Sequence, residues 1–200
     1  MSVSAGDVKA LRDRTGAAMM DCKAALTESQ GDVDRAIEIL RVKGQASAAK
    51  REGRGTSEGV VASYVHANDK VGAMVEVQCE TDFVARNDDF KAFAYDVALH
   101  VAATAPAYVS AEEIPAEERE AERRVFEEKA REDGKPDNVV EKIVEGQLAK
   151  WAKEVALLDQ THVNAEKHES KSIEELRQEL ASKTGENVRI ARFAYFRVGE

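Results

Sequence analysis

The sequence predicts an α+β fold: a three-helix N-terminal bundle, then a three-stranded antiparallel sheet covered by helices, with a projecting helical hairpin. Three observations predict it. Apolar residues recur at helical spacing near the N-terminus and again over residues 140–155. The period drops to two over residues 59–79, on either side of Asn68-Asp69-Lys70. The alternation returns at the end, in VRIARFAYFRVG, residues 188–199.

Residues 1–44 form the first predicted domain. Ser4 is placed to cap helix one, with Asp7 in its first turn, and Gly16 stops it. Helix two runs from about Ala18 to Ser29, with Met19, Cys22, Ala25 and Leu26 apolar. Gly31 ends it, Asp32 opens helix three, and Val33, Ala36, Ile37 and Leu40 lead to an expected end at Gly44. Residues 45–58 are expected to be a linker, helical at most in its first half. Its bases Lys50, Arg51 and Arg54 read as a solvated tether in preference to an RNA contact.

The core domain is predicted over 59–200. After the β-hairpin, Phe90, Phe93, Ala94, Val97, Ala98 and Val101 mark a helix that Pro106 ends. Residues 111–133 hold ten acidic and five basic residues, with a thin apolar stripe at Ile114, Ala121, Val125 and Ala130. DGKP at 133–136 stops one helix and restarts another, which carries Val140, Val144, Leu148, Trp151 and Val155 on one face. The pair is the hairpin of about 111–155, mostly solvent-facing. A last helix from Ser172 to Lys183 buries Ile173, Leu176 and Leu180. In the final strand Val188, Ile190, Phe193 and Phe196 break with Arg189, Arg192 and Arg197. Three strands under one helical cover leave an apolar face partly free.

Composition narrows function. The chain has 200 residues, 43% hydrophobic and 34% charged, with net charge −9 and pI about 5.1. That balance argues against a general nucleic-acid binder, so no direct specific nucleic acid is expected. No apolar run reaches membrane-span length, and the opening MSVSAGDVKALRDR has no signal-peptide core. Cys22 and Cys79 have no metal-type spacing, and a cytoplasmic protein with two ordinary thiols is expected. The phosphate-loop, nucleophile-elbow and zincin motifs are missing, and His66, His100, His162 and His168 have no trusted ligand spacing. An enzyme, a metal or another cofactor is therefore not expected.

One stretch remains unexplained by packing rules: CETDFVARNDDF, Cys79 to Phe90. It sets Phe83 and Val84 at a polar strand-to-helix junction. Phe83 either folds back as a hydrophobic staple under the next helix or stands out as a wedge for a partner. Both readings stay open on the residues alone.

The motifs TDFVARN (81–87), LRDRTGAAMMDCKAAL (11–26), GDVDRAIEILRVKG (31–44), HVAATAP (100–106), GKPDNVVEKIVEGQL (134–148) and RFAYFRVGE (192–200) resemble, in order, the bacterial elongation factor Ts family. The resemblance implies a guanine nucleotide exchange factor for the GTPase elongation factor Tu. It implies that Asp82 and Phe83 insert near the magnesium site of the GTPase, with Thr81 and Val84 shaping the turn. It also implies a ubiquitin-associated-like N-terminal bundle that docks through Arg12, Met19 and Met20, one of the two methionines packing inward, and an approach to the nucleotide domain by His100. Long family members are expected to have two core subdomains, and this sequence has one. A homodimer through the sheet is the expected compensation. Rival readings are an adaptor built on the bundle, a thiol redox enzyme and an RNA-binding factor using residues 43–54.

Overall fold

The computed structural model describes residues 3–199. Met1, Ser2 and Glu200, which begin and end the predicted domains and the last motif, lie outside the described residues. Strands β1 (Glu58–Val65), β2 (Val71–Cys79) and β3 (Arg189–Arg197) form the predicted antiparallel sheet in the order β1-β2-β3. Along β2, Ala73, Val75, Val77 and Cys79 are buried while Met74 faces out, the alternation expected of a half-covered sheet. The chain divides into two compact units, and all three strands contribute residues to both.

The first unit comprises Met1–Ala62, Glu76–Ala94 and Glu175–Ile190. Its N-terminal bundle is α1 (Ala5–Thr15), α2 (Met19–Glu28) and α3 (Val33–Ala49). Ser4 and Asp7 form a reciprocal capping box, Gly16 closes α1, and Asp32 caps α3 by accepting from the Arg35 amide at 3.0 Å. Val8, Leu11, Cys22, Ala25, Leu26, Ala36 and Leu40 make a core of their own. The expected helix end at Gly44 is corrected: α3 runs on to Ala49. Gly44 is there because α8 (Ile173–Thr184) comes close. A Cβ at Gly44 would lie 2.9 Å from the Ser182 hydroxyl. The same side of α3 pairs Arg41 with Glu175, and the Arg51 guanidinium donates to the Ala181 carbonyl at 3.4 Å. Glycine here serves contact, where the sequence suggested termination.

The second unit comprises Ser63–Val75, Tyr95–Glu174 and Ala191–Glu200. In it α6 (Ala116–Glu132) and α7 (Asp137–Val155) pack as the predicted helical hairpin around Ala130, Val140, Val144 and Leu148, flanked by Phe126 and Trp151. The stripe on α6 differs from expectation. Ala121 and Val125 face solvent, whereas Glu118, Glu122, Phe126 and Ala130 turn inward at four-residue spacing. Two of those four positions are acidic, so the inward face does not show in the hydrophobic pattern. Phe196 is exposed, on the face of β3 opposite Phe193 and Tyr195.

Helices α4 (Asp82–Ala85) and α5 (Asp88–Thr104) follow β2 directly. Phe90, Phe93, Ala94, Val97, Ala98 and Val101 are all buried along α5, as its spacing predicts. No described helix is long and apolar enough to cross a membrane.

Candidate functional site

Thr81 ends the strand-to-helix junction and starts α4. Its backbone is extended, and its hydroxyl accepts from the Val84 amide at 3.4 Å, which makes it the helix N-cap. A four-residue helix has too few internal hydrogen bonds to hold itself. Burial of Val84 and Ala85 pins one side of it. The other side carries Phe83, which is 82% exposed where Val84 is 5%. The staple reading of Phe83 therefore does not describe this turn: the ring does not fold back under α5. Asp82 is exposed beside it and pairs with Arg86 one turn on, at 3.0 Å.

The turn is fastened by residues that the sequence reading did not single out. The Glu186 carboxylate accepts from the Glu80 amide at 3.0 Å, the Thr81 amide at 3.1 Å and the Thr81 hydroxyl at 2.6 Å. In return the Asn187 amide donates to the Glu80 carboxylate at 2.6 Å. Glu80 is also paired with Arg54 at 3.4 Å, and the Asn187 side chain donates to the carbonyls of Glu52 and Arg54. Glu186 lies 105 residues from Thr81, so no local pattern could announce the pairing. The only sequence hint is Gly-Glu-Asn between a helix and a strand, a combination that also suits an ordinary turn.

Arg12, Met19 and Met20 lie on the N-terminal bundle, in the same unit as the 81–84 turn. All three are exposed, Met19 at 44% and Met20 at 72%. The expectation that one methionine packs inward is corrected, because Cys22, Ala25 and Leu26 already fill the side of α2 that faces the bundle core. Side-chain carbons of Lys183 lie against Gly16, in the loop before Met19, and its ammonium pairs with Asp89 at 2.6 Å at the start of α5.

His100 belongs to the second unit and is fully buried. Its Nδ1 accepts from the Val163 amide at 3.0 Å, and its Nε2 lies 2.8 Å from Gln160 Oε1, so Nε2 carries the proton. Burial lowers its pKa to about 4. In the free chain it is a neutral, interior ring with no surface to offer.

Reactive chemistry is poorly served. Burial, reinforced by the charge of Glu186, pushes the Cys79 thiol up to about 11, away from the thiolate that redox work requires. Both cysteines are buried and unpaired with each other. Among the described residues no group of three or more His, Cys, Asp or Glu could hold a metal ion. Two of the linker bases, Arg51 and Arg54, are engaged by protein groups. What the geometry offers is an exposed aromatic on a fastened turn and an exposed methionine pair on a small bundle, both suited to binding a macromolecule.

Comparison with known proteins bears on which one. A family model described as "Elongation factor TS" matches residues 5–169. A protein of Herpetosiphon aurantiacus named "Elongation factor Ts" is 54% identical over 199 residues, covering 100% of this chain and 99% of its own length. Proteins of the same name from Desulfosudis oleivorans (51% over 199 residues, 99% of its length) and Geobacter sulfurreducens (50% over 200 residues, 91% of its length) also match across the whole chain.

Proposed function

This chain belongs to the elongation factor Ts family, and from that premise we propose that it acts in translation elongation as the guanine nucleotide exchange factor of elongation factor Tu. It binds the GDP-bound GTPase in the cytoplasm, dislodges the Mg²⁺ held there, and promotes GDP release and GTP loading. No covalent bond is made or broken. The effect is linkage: a factor that binds the nucleotide-free GTPase more tightly weakens nucleotide affinity by the same ratio.

The observation that carries this reading is the exposure of Phe83 beside buried Val84. Moving a Phe side chain from water into a closed pocket is worth roughly 2 kcal/mol, and this ring finds no such pocket in its own chain. Phe83 is the wedge, and Asp82 brings a carboxylate to the region of the metal. Shifting the groups that hold a cation weakens its screening of the phosphates. Thr81 and Val84 shape and anchor the turn. Arg12, Met19 and Met20 supply a second, adaptable contact from the bundle. His100 orders the 160–163 segment of its own unit, accepting from the Val163 amide and meeting Gln160; its approach to the nucleotide domain of the GTPase rests on the family resemblance alone.

The same reading includes a homodimer. Val65, Met74, Phe196 and Val198 line one shallow groove on the sheet, all exposed. An apolar patch of this kind on a soluble protein is the usual form of a subunit contact, and a second copy presents the matching surface.

The test is release of fluorescent GDP from elongation factor Tu. The wild-type chain is expected to accelerate release strongly. Phe83→Ala is expected to lose tenfold or more, the effect of removing a central aromatic anchor, on the order of 2 kcal/mol. No acceleration by the wild type would overturn the proposal.

A further inference from the structure

We propose that Glu186 is a positioning residue for exchange: its carboxylate latches the 80–81 segment and so holds Phe83 out in a fixed direction. The inference rests on the reading of Phe83 given above and adds the residue that makes the wedge rigid.

The geometry is a crossed pair. One carboxylate, Glu186, gathers the two successive amides of Glu80 and Thr81 and the Thr81 hydroxyl. The other, Glu80, receives the Asn187 amide from the opposite segment at 2.6 Å. Each segment therefore ties the other, through charge-assisted bonds that are stronger than neutral ones. The Thr81 hydroxyl has a single proton. Because that proton goes to Glu186, a lone pair is left facing the Val84 amide, and the cap of α4 depends on the latch.

The latch is itself anchored. Gly185 reaches the left-handed region at φ +76°, turning the chain so that Glu186 faces Thr81. Asn187 is buried, and its amide fixes the carbonyls of Glu52 and Arg54, on the segment leading out of α3. The segment from the docking bundle and the wedge turn thus share one hydrogen-bonded junction. Bonds of this kind order the turn before a partner arrives. An exposed Phe on a loose four-residue helix would have to be ordered at the moment of binding, and that cost would come out of the binding free energy.

The experiment is a double-mutant cycle on the full-length chain, with GDP release from elongation factor Tu as one readout and amide hydrogen exchange at Glu80 and Thr81 as the other. Glu186→Ala is expected to slow exchange catalysis about tenfold, the scale of a lost helix cap. Glu186→Gln, which keeps the shape but has one acceptor oxygen, is expected to fall between. Phe83→Ala combined with Glu186→Ala is expected to match Phe83→Ala alone within about twofold, because the latch acts through the ring. Faster exchange of both amides is expected in free Glu186→Ala, while Glu186→Gln keeps them protected, because both donate to the same oxygen, Oε2, which the Gln carbonyl can replace. A wild-type rate in Glu186→Ala, or losses that multiply independently in the double variant, would overturn the proposal. If the wild-type chain fails to accelerate release, the exchange reading falls and amide exchange decides the latch alone. Protection lost at Glu80 and Thr81 in Glu186→Ala, with other amides unchanged, upholds the latch, and protection unchanged at the two overturns it.

Discussion

The rings of His100 and His162 stack with centroids 5.3 Å apart, and each accepts a backbone amide on its Nδ1. Val163 donates to His100 and Asn164 to His162, both at 3.0 Å. The His162 Nε2 in turn lies 3.1 Å from the Asp96 carbonyl. Protonating the His100 Nδ1 would set one N–H against another. His168 continues the group, 4.1 Å from His162 between ring centroids and 3.3 Å from the Asp96 carboxylate, which also pairs with Lys167.

A pH dependence of stability follows. Burial lowers the His100 pKa from 6.5 to about 4, and the His168 pKa is lowered for the same main reason. The unfolded chain takes up protons below about pH 6.5 while the native chain does not. The stability from keeping His100 neutral is complete above pH 6.5 and is lost as pH falls towards 4, roughly 3 kcal/mol in all. Urea melts between pH 7.5 and 4 should show this slope. His100→Gln, which retains an acceptor and does not titrate, should flatten it; an equal slope in the variant would remove His100 as the cause.

Neighbouring residues in the 81–84 turn should separate stability from activity. Phe83→Ala removes an exposed ring and should change folding stability by less than about 0.5 kcal/mol. Val84→Ala opens a buried site and should cost roughly 2 kcal/mol. Thermal melts beside exchange assays would check both. A large loss of stability in Phe83→Ala would mean that the ring is held by its own chain.

The sheet groove predicts the oligomeric state. Wild-type protein at micromolar concentration is expected to sediment as a dimer, and Met74→Glu or Phe196→Glu as a monomer, because a carboxylate buried in an apolar interface without a partner is costly. A monomeric wild type at high micromolar concentration would leave the groove without its second copy.

Gly44 and Ser182 should prove coupled. Alanine favours a helix over glycine by about 1 kcal/mol, yet a Cβ at Gly44 meets the Ser182 hydroxyl at 2.9 Å. That hydroxyl is buried without a hydrogen-bond partner among the described residues, so Ser182→Ala is expected to be neutral or stabilising. Gly44→Ala should be destabilising in the wild-type background and stabilising with Ser182→Ala. Equal effects in the two backgrounds would show that the helices adjust freely.

The helices of the bundle were legible because their signals are local: Ser4 with Asp7, Gly16 and Asp32 act within one turn of themselves. The sheet was legible because Ala73, Val75, Val77 and Cys79 alternate with residues of the opposite face. Reading failed where one residue type serves two purposes. Gly44 looks like a stop and is a close approach. Glu118 and Glu122 look solvated and lie on the inward face of α6.

The sequence by itself determined the elements, their order and the odd position of Phe83, because period, capping and turn chemistry act between near neighbours. It left open whether Phe83 would staple or protrude. Only the tertiary structure decided that, by bringing Glu186 to Thr81 across 105 residues and burying Val84 below. A side chain's exposure depends on what the rest of the chain puts beside it, and pairings at that separation are set by packing, which no local pattern encodes.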